Sequence, residues 1–281
     1  MKSDTHLIKT KEGIYFNCYN DLIGNHLRDG LEEPLDYTII NISEFYLENK
    51  KRLVIDLGAN IGTYSIPLAK KLPNITFKAY EVQKKIFETL NSNIKINKIT
   101  NIRTFNLGIS STKKKVIYNI PNYSNEKNIG GFSIDSLTRK KNYDVFESSS
   151  KETFSLDRLD SFNLKKVILI KLDIEGHEFE ALSGSKNTII KNNYPLIIFE
   201  AWQRKEFKKK NNKIFSFLKK LKYNIVRIDN NCIAYFKEDY RIRFINSYIK
   251  EIRLKNDFNP NRGISYNLSQ VYLSFKRKFF K

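Results

Sequence analysis

Residues 54–62, V-I-D-L-G-A-N-I-G, join an apolar run to an acid and then to two glycines that flank an asparagine. A chain that needed only a turn at this point would have no use for Asp56. Val54, Ile55 and Leu57 read as a buried strand, Gly58 as its sharp turn, and the residues past Gly62 as the start of a helix. That is the opening unit of a nucleotide-type α/β sheet.

The same rhythm continues outward. Short apolar runs at 53–56, 75–81, 102–108, 167–173 and 196–200 alternate with helical stretches at 64–71, 86–97 and 179–191. Continuous apolar strands joined by helical crossovers predict a doubly wound, mostly parallel sheet covered on both faces. A basic helix at 207–221 follows, then runs at 223–228 and 232–236 separated by D-N-N, which predict an antiparallel hairpin. Residues 106–143, including I-G-G-F-S at 129–133, break the rhythm with a polar excursion of the length that is either disordered or covers a site. The N-terminal part is mixed, with apolar residues at helix-like spacing in 13–16 and 36–47. The expected organisation is an N-terminal extension packed on the core (1–50), a main domain (51–240) and a basic, aromatic C-terminal extension (241–281).

A chain of 281 residues, 41% of them hydrophobic, can bury a full core, and its length favours one large domain with additions. Cys18 and Cys232 lie far apart and form neither a disulfide framework nor a zinc spacing, which fits a reducing compartment. The start, M-K-S-D-T-H-L-I-K, has no apolar signal region, and no window reaches the length of a membrane span. A cytoplasmic, soluble protein is expected. The net charge of +20 suggests nucleic acid or an anionic surface as a partner. Lysine, asparagine and isoleucine are all over-used, however, and the basic residues are spread along the chain, so nucleic acid is the less favoured partner.

In an open α/β sheet the ligand sits at the carboxyl ends of the strands, where Asp56, Glu81, Gly108, Asp173 and Glu200 all fall. A dinucleotide would want G-x-G-x-x-G facing its pyrophosphate, but this turn reads D-x-G-x-N-x-G. An acid there repels phosphate and suits a positive sulfur, and Glu81 can accept hydrogen bonds from both ribose hydroxyls. Asp56, Gly58, Asn60, Gly62 and Glu81 favour S-adenosylmethionine over NAD, with Gly108 at the third strand end completing the cofactor set. The plainer alternative is that the glycines serve a tight turn and Glu81 caps a helix.

With these residues the chain resembles the FkbM-type S-adenosylmethionine-dependent methyltransferases. The resemblance covers residues 53–236 and rests on V-I-D-L-G-A-N-I-G-T-Y-S, A-Y-E (79–81), N-L-G-I-S (106–110), G-F-S (131–133), S-L-D-R-L (155–159) and P-L-I-I-F-E (195–200). Its most specific block is I-K-L-D-I-E-G-H-E-F-E-A-L-S-G at 170–184. One departure is Val82, where the family usually carries proline. The resemblance implies a class I methyltransferase (Rossmann-like) fold with the C-terminal hairpin as its antiparallel edge, and O-methylation of a natural product, glycan or related small molecule.

Methyl transfer is an in-line displacement, so an enzyme must align the acceptor oxygen and remove its proton with a base or a metal. Asp173, at the mouth of the fourth strand, is the first candidate for either duty, with Glu175 and Glu200 beside it. Lys171 lies two positions earlier on the same strand face and would hold a carboxylate or a developing oxyanion. Asp173 and Glu200 are the ligands if a divalent metal is used. Glu178 reads more simply as an acid at a helix N-terminus, and His177 as a base, a ligand or a surface residue. Two other classes compete. A nucleic-acid methyltransferase would want an Asn/Asp-Pro-Pro-Tyr/Phe block where L-D-I-E-G stands, and intact Asp56, Glu81, Lys171 and Asp173 together argue against a non-catalytic S-adenosylmethionine-binding module. The last stretch, V-Y-L-S-F-K-R-K-F-F-K at 271–281, reads either as a peripheral contact with an anionic membrane or as a terminal helix docking its rings on the domain.

Overall fold

A computed structural model describes residues 5–28, 34–47, 51–123, 128–141, 147–228, 230–239 and 247. Strands β1 (His6–Lys9) and β2 (Tyr15–Cys18) form an antiparallel ribbon that leads through helices α1 (Leu22–Arg28) and α2 (Pro34–Leu47) to β3 (Leu53–Leu57), the strand ending at the acid–glycine turn. Then come α3 (Ser65–Lys71), β4 (Thr76–Tyr80), α4 (Lys84–Ile96), β5 (Ile102–Phe105), β6 (Gly108–Ile109), β7 (Lys114–Pro121), α5 (Ser136–Lys141) and β8 (Glu147–Asp157). The chain continues with β9 (Val167–Leu172), α6 (Glu178–Ser183), α7 (Lys186–Lys191), β10 (Leu196–Glu200), α8 (Lys208–Lys220), β11 (Tyr223–Ile228) and β12 (Asn231–Phe236).

Seven strands form the central sheet in the order β11-β12-β10-β9-β3-β4-β5. Neighbours from β10 to β5 pair in parallel, while β12 pairs antiparallel with both β10 and β11. This is the class I methyltransferase architecture, doubly wound and closed at one edge by the expected hairpin. Every residue of β3 and β9 is buried, which is why both read as unbroken apolar runs. Their two-residue period divides the core. Val54 and Leu169 face one cluster with Phe16, Ile42, Ile66 and Leu90, whereas Ile55 and Ile170 face the other with Leu182, Phe199 and Leu218.

The N-terminal ribbon is fastened by side-chain amides of α4 and of the residue that caps it, Asn97. Asn93, fully buried, accepts from Asn17 N (2.7 Å) and donates to Asn17 O (3.1 Å) and Ile61 O (2.9 Å). Asn97 likewise accepts from Tyr15 N at 2.9 Å and donates to Tyr15 O. An amide matches an exposed strand edge because it carries both a donor and an acceptor.

Three expectations change. The third parallel strand stops at Phe105, so Gly108 begins a short strand of a separate three-stranded sheet, β6-β8-β7, and does not end a strand of the main sheet. The excursion at 106–143 therefore contains ordered strand and helix, with β7 paired along β8. The stretch expected as one helix at 179–191 is two, α6 and α7. Gly184, between them, packs so closely that a Cβ there would lie 1.9 Å from Ser110 O. Both cysteines are buried, which pushes their thiols up to about 11. Among the described residues no helix is long and apolar enough to cross a membrane. The C-terminal extension expected at 241–281, with its aromatic and basic stretch, lies outside the described residues apart from Ser247.

Candidate functional site

The order of strands reverses between β3 and β9, and there Asp56 and Lys171 are register partners. Beyond Asp56 the backbone turns through Gly58 (φ +77°), Asn60 (φ +50°) and Gly62 (φ +98°). The positive φ at Gly58 is one reason for glycine; the second is contact, since a Cβ on it would lie 1.8 Å from Asp173 O. Gly58 and Ala59 both donate to Tyr80 O at 3.0 Å, and Asp173 donates to Leu57 O at 3.0 Å. The ends of β3, β4 and β9 are thus tied into one piece.

Glu81 follows β4 and is buried. Its two oxygens accept from Asn60 N (3.0 Å) and Gln83 N (2.9 Å), and burial raises its pKa from the usual carboxylate value to about 7. Where the family usually has proline, Val82 O and Glu81 O both accept from the Asn106 amide at 2.9 Å. A side-chain clamp therefore holds a turn that proline would otherwise stiffen.

Lys171 is the hub between the two halves of the site. Its ammonium lies 3.0 Å from Gly58 O, 3.3 Å from Asp56 Oδ1 and 3.4 Å from Asp173 Oδ2, and sits over the Tyr64 ring at 5.6 Å. Asp56 is fully buried behind it, its other oxygen accepting from Ser65 Oγ at 2.5 Å. Asp56 consequently acts through Lys171, which positions Asp173.

A cavity of about 360 Å³ opens over these strand ends, within the size range of small-molecule sites. It is lined by Gly58, Asn60, Glu81 and Gly108 together with Lys171, Asp173, Glu175 and Glu200. Of the ten residues singled out from sequence, only Asp56 and Gly62 are absent from its lining. Gly62 instead fits against α3 and α4, where a Cβ would lie 2.6 Å from Ile66 Cδ1 and 2.9 Å from Leu90 Cδ1.

The acids do not share one environment. Asp173 is exposed to the cavity and paired with a cation. Burial, and next to it the charge of Asp173, holds Glu175 and Glu200 well above the usual carboxylate range, with Trp202 on the Glu200 side pulling the other way. Glu175 sits at φ +54° in the turn after β9, its carbonyl held by Ser133 Oγ. Glu178 is structural: buried, with Oε1 accepting from Ile174 N (3.3 Å) and Gly176 N (3.2 Å), it closes the same turn. His177 is no surface residue. It is buried, its Nε2 meets Ser110 Oγ at 3.0 Å, and burial lowers its pKa to about 4. Among the described residues no group of three or more His, Cys, Asp or Glu side chains is arranged to hold a metal ion.

Sequence reasoning missed Trp202, Arg204 and Phe207, which follow β10, and Thr138 and Lys141 on α5, all of which line the cavity. A signal existed for the first of these, since Trp202 is the only tryptophan and stands two residues past a strand-end acid. Lys141 had none, because nothing in S-L-T-R-K-K marks α5 as a wall of the site.

Among curated proteins the chain is similar to "Methyltransferase 1" of Beauveria bassiana (strain ARSEF 2860), at 23% identity, covering 47% of this chain and 57% of that one. It is also similar to "Methyltransferase sdnD" of Sordaria araneosa, at 24% identity, covering 53% and 66%. The chain thus spans under two thirds of the length of either relative. Among solved structures it is similar to a precorrin-6y C5,15-methyltransferase from Geobacter metallireducens GS-15, at 12% identity and a TM-score of 0.42, covering 71% of this chain and 87% of that one. The profile of the methyltransferase FkbM domain matches residues 56–225, from the acid in β3 to the middle of β11. With more than half of its length matched in this way, the chain belongs to the FkbM methyltransferase family.

Proposed function

We propose that the protein transfers a methyl group from S-adenosylmethionine to a hydroxyl oxygen of a glycan or related small molecule. The observation that carries this reading is one cavity lined by both Glu81 and Asp173, with Lys171 and Gly58, in contact with each other, also in its lining.

The residues present suit the cofactor. Glu81 offers carboxylate lone pairs to a ribose diol, the turn at Gly58–Asn60 offers backbone groups, and Leu107, Gly108 and Phe132 offer a largely apolar wall to a purine. When bound, S-adenosylmethionine supplies an electrophilic methyl on a positive sulfur. Asp173 is the group that takes the acceptor's proton, because it faces the cavity and Lys171 holds it in place. Burial and the charge on Asp173 hold Glu175 and Glu200 well above the usual carboxylate range, which favours the forms that donate hydrogen bonds to the acceptor over forms that compete for its proton. Asp56 stays behind Lys171 and keeps that cation from drawing Asp173 out of line.

The test is to offer methyl-labelled S-adenosylmethionine and the pure protein to fractionated extracts. Label is expected in a nuclease-resistant polar fraction, in a linkage stable to mild base as an ether is and a methyl ester is not. Label in nuclease-sensitive material would establish the nucleic-acid reading that the net charge of +20 favours.

A further inference from the structure

Among the described residues four Lys and Arg side chains line the cavity, and two of them are already committed. Lys171 is held as described, and Lys71 pairs with Glu44 at 3.2 Å. The other two are Arg204, which precedes the 3-10 turn Lys205–Phe207 behind β10, and Lys141, the last residue of α5. Both side chains are exposed and neither forms a hydrogen bond or ion pair among the described residues, although the Arg204 charge pulls the Glu175 pKa downward from a distance. Neighbouring Lys210 shows the contrast, since it is taken up by Asp135 and by Gly176 O at 3.0 Å.

Both open cations sit on segments that adjoin the acids. Arg204 is four residues past Glu200. Thr138, one turn before Lys141 on α5, also lines the cavity, and Gly176 packs so tightly on it that a Cβ would lie 2.1 Å from Thr138 Oγ1. Trp202 lines the same cavity, its ring edge-to-face with Phe207 at 4.6 Å.

The lining thus brings three acids, Asp173, Glu175 and Glu200, into one cavity with two exposed cations. An acceptor bearing an anion beside the reacting hydroxyl would be repelled by Asp173, and a neutral acceptor would leave both cations unused. We infer that the acceptor is a ring carrying a phosphate or carboxylate away from the methylated hydroxyl, with that oxyanion held by Arg204 and Lys141 and the ring face against Trp202. Arginine suits either oxyanion, because its planar fork matches both, and lysine adds a point charge. This inference rests on the cavity being the methyl-transfer site.

Trp202, as the sole tryptophan, reports occupancy directly by its emission. The protein, loaded with S-adenosylhomocysteine, is titrated with glucose, glucose 6-phosphate and glucuronate at constant ionic strength. At least one anionic sugar is expected to bind about tenfold more tightly than glucose, the scale of one charge-assisted hydrogen bond. Comparing the two anions identifies the oxyanion. Replacing both exposed cations (Arg204→Gln with Lys141→Gln) is expected to bring the preference to within about twofold, leaving melting temperature and S-adenosylmethionine affinity unchanged. Equal binding of all three sugars, no emission change with either anion, or a preference that survives the double replacement overturns the inference. Because calorimetry with S-adenosylmethionine is run on unloaded portions of the same preparations, loss of the acceptor preference alone leaves the methyl-transfer reading standing. Absence of cofactor binding removes both.

Discussion

Asp173 and Glu81 line the same cavity, yet each is expected to fail differently when changed. Asp173→Asn keeps size and leaves the backbone ties of the turn intact, so turnover should fall by about 10² or more with cofactor affinity little altered. Steady-state kinetics beside calorimetry separates the two effects, and survival of turnover within a few-fold would make Asp173 a structural partner of Lys171. Glu81→Ala should weaken S-adenosylmethionine by roughly 2–3 kcal/mol, the scale of lost charge-assisted hydrogen bonds. Because burial places the Glu81 pKa at about 7, cofactor affinity should also rise between pH 6 and pH 8 as the carboxylate ionises, and that slope should vanish in Glu81→Gln. Calorimetry across this range checks it. Both acids were legible in the sequence because each ends a strand. The role of Asp56 was not, since its contact with Lys171 is made across two strands separated by more than a hundred residues.

At the level of elements, the turn between β9 and α6 should carry a pH signature. Glu178 and Glu81 have folded pKa values of about 7 against 4.5 ordinarily, both raised by burial. A carboxyl raised on folding stabilises the native state fully below its unfolded pKa, and that contribution is lost as pH climbs through the folded one. The stability of the unliganded protein should therefore decline between about pH 4.5 and pH 7 by at most about 3 kcal/mol per group. Glu178→Gln still accepts the two backbone N–H groups, so its melting temperature should fall less over the same range. Asn93→Ala tests another joint. It removes the side-chain partner of three backbone groups, the part-buried Asn17 N and O and the buried Ile61 O, and should cost about 2 kcal/mol by denaturant unfolding. The parallel strands were legible because burial on both faces writes an unbroken apolar run. The small sheet was not, because in E-S-S-S-K-E-T-F-S-L-D only Phe154 and Leu156 are deeply buried and the rest carries no period-two signal.

For the whole molecule, a net charge of +20 predicts salt-sensitive attraction to anionic surfaces, and the stretch at 271–281 is where rings and cations coincide. Cosedimentation with anionic vesicles is expected to weaken at high salt and to be lost on deleting residues 270–281, with melting temperature nearly unchanged. A large drop in melting temperature on that deletion, or no binding by the intact chain, identifies the stretch as packed on the domain. The contact between Gly58 and the carbonyl of Asp173 has a genetic corollary at this same scale. Because the loop assigned to the cofactor and the loop assigned to the acceptor occupy each other's space, they cannot drift independently. In a saturation screen for loss of product, Gly58 would tolerate no other residue, and its alleles would combine the affinity phenotype of Glu81 changes with the turnover phenotype of Asp173 changes. Suppressors of a Gly58 allele would then arise in the turn after β9, on the opposite side of the strand reversal.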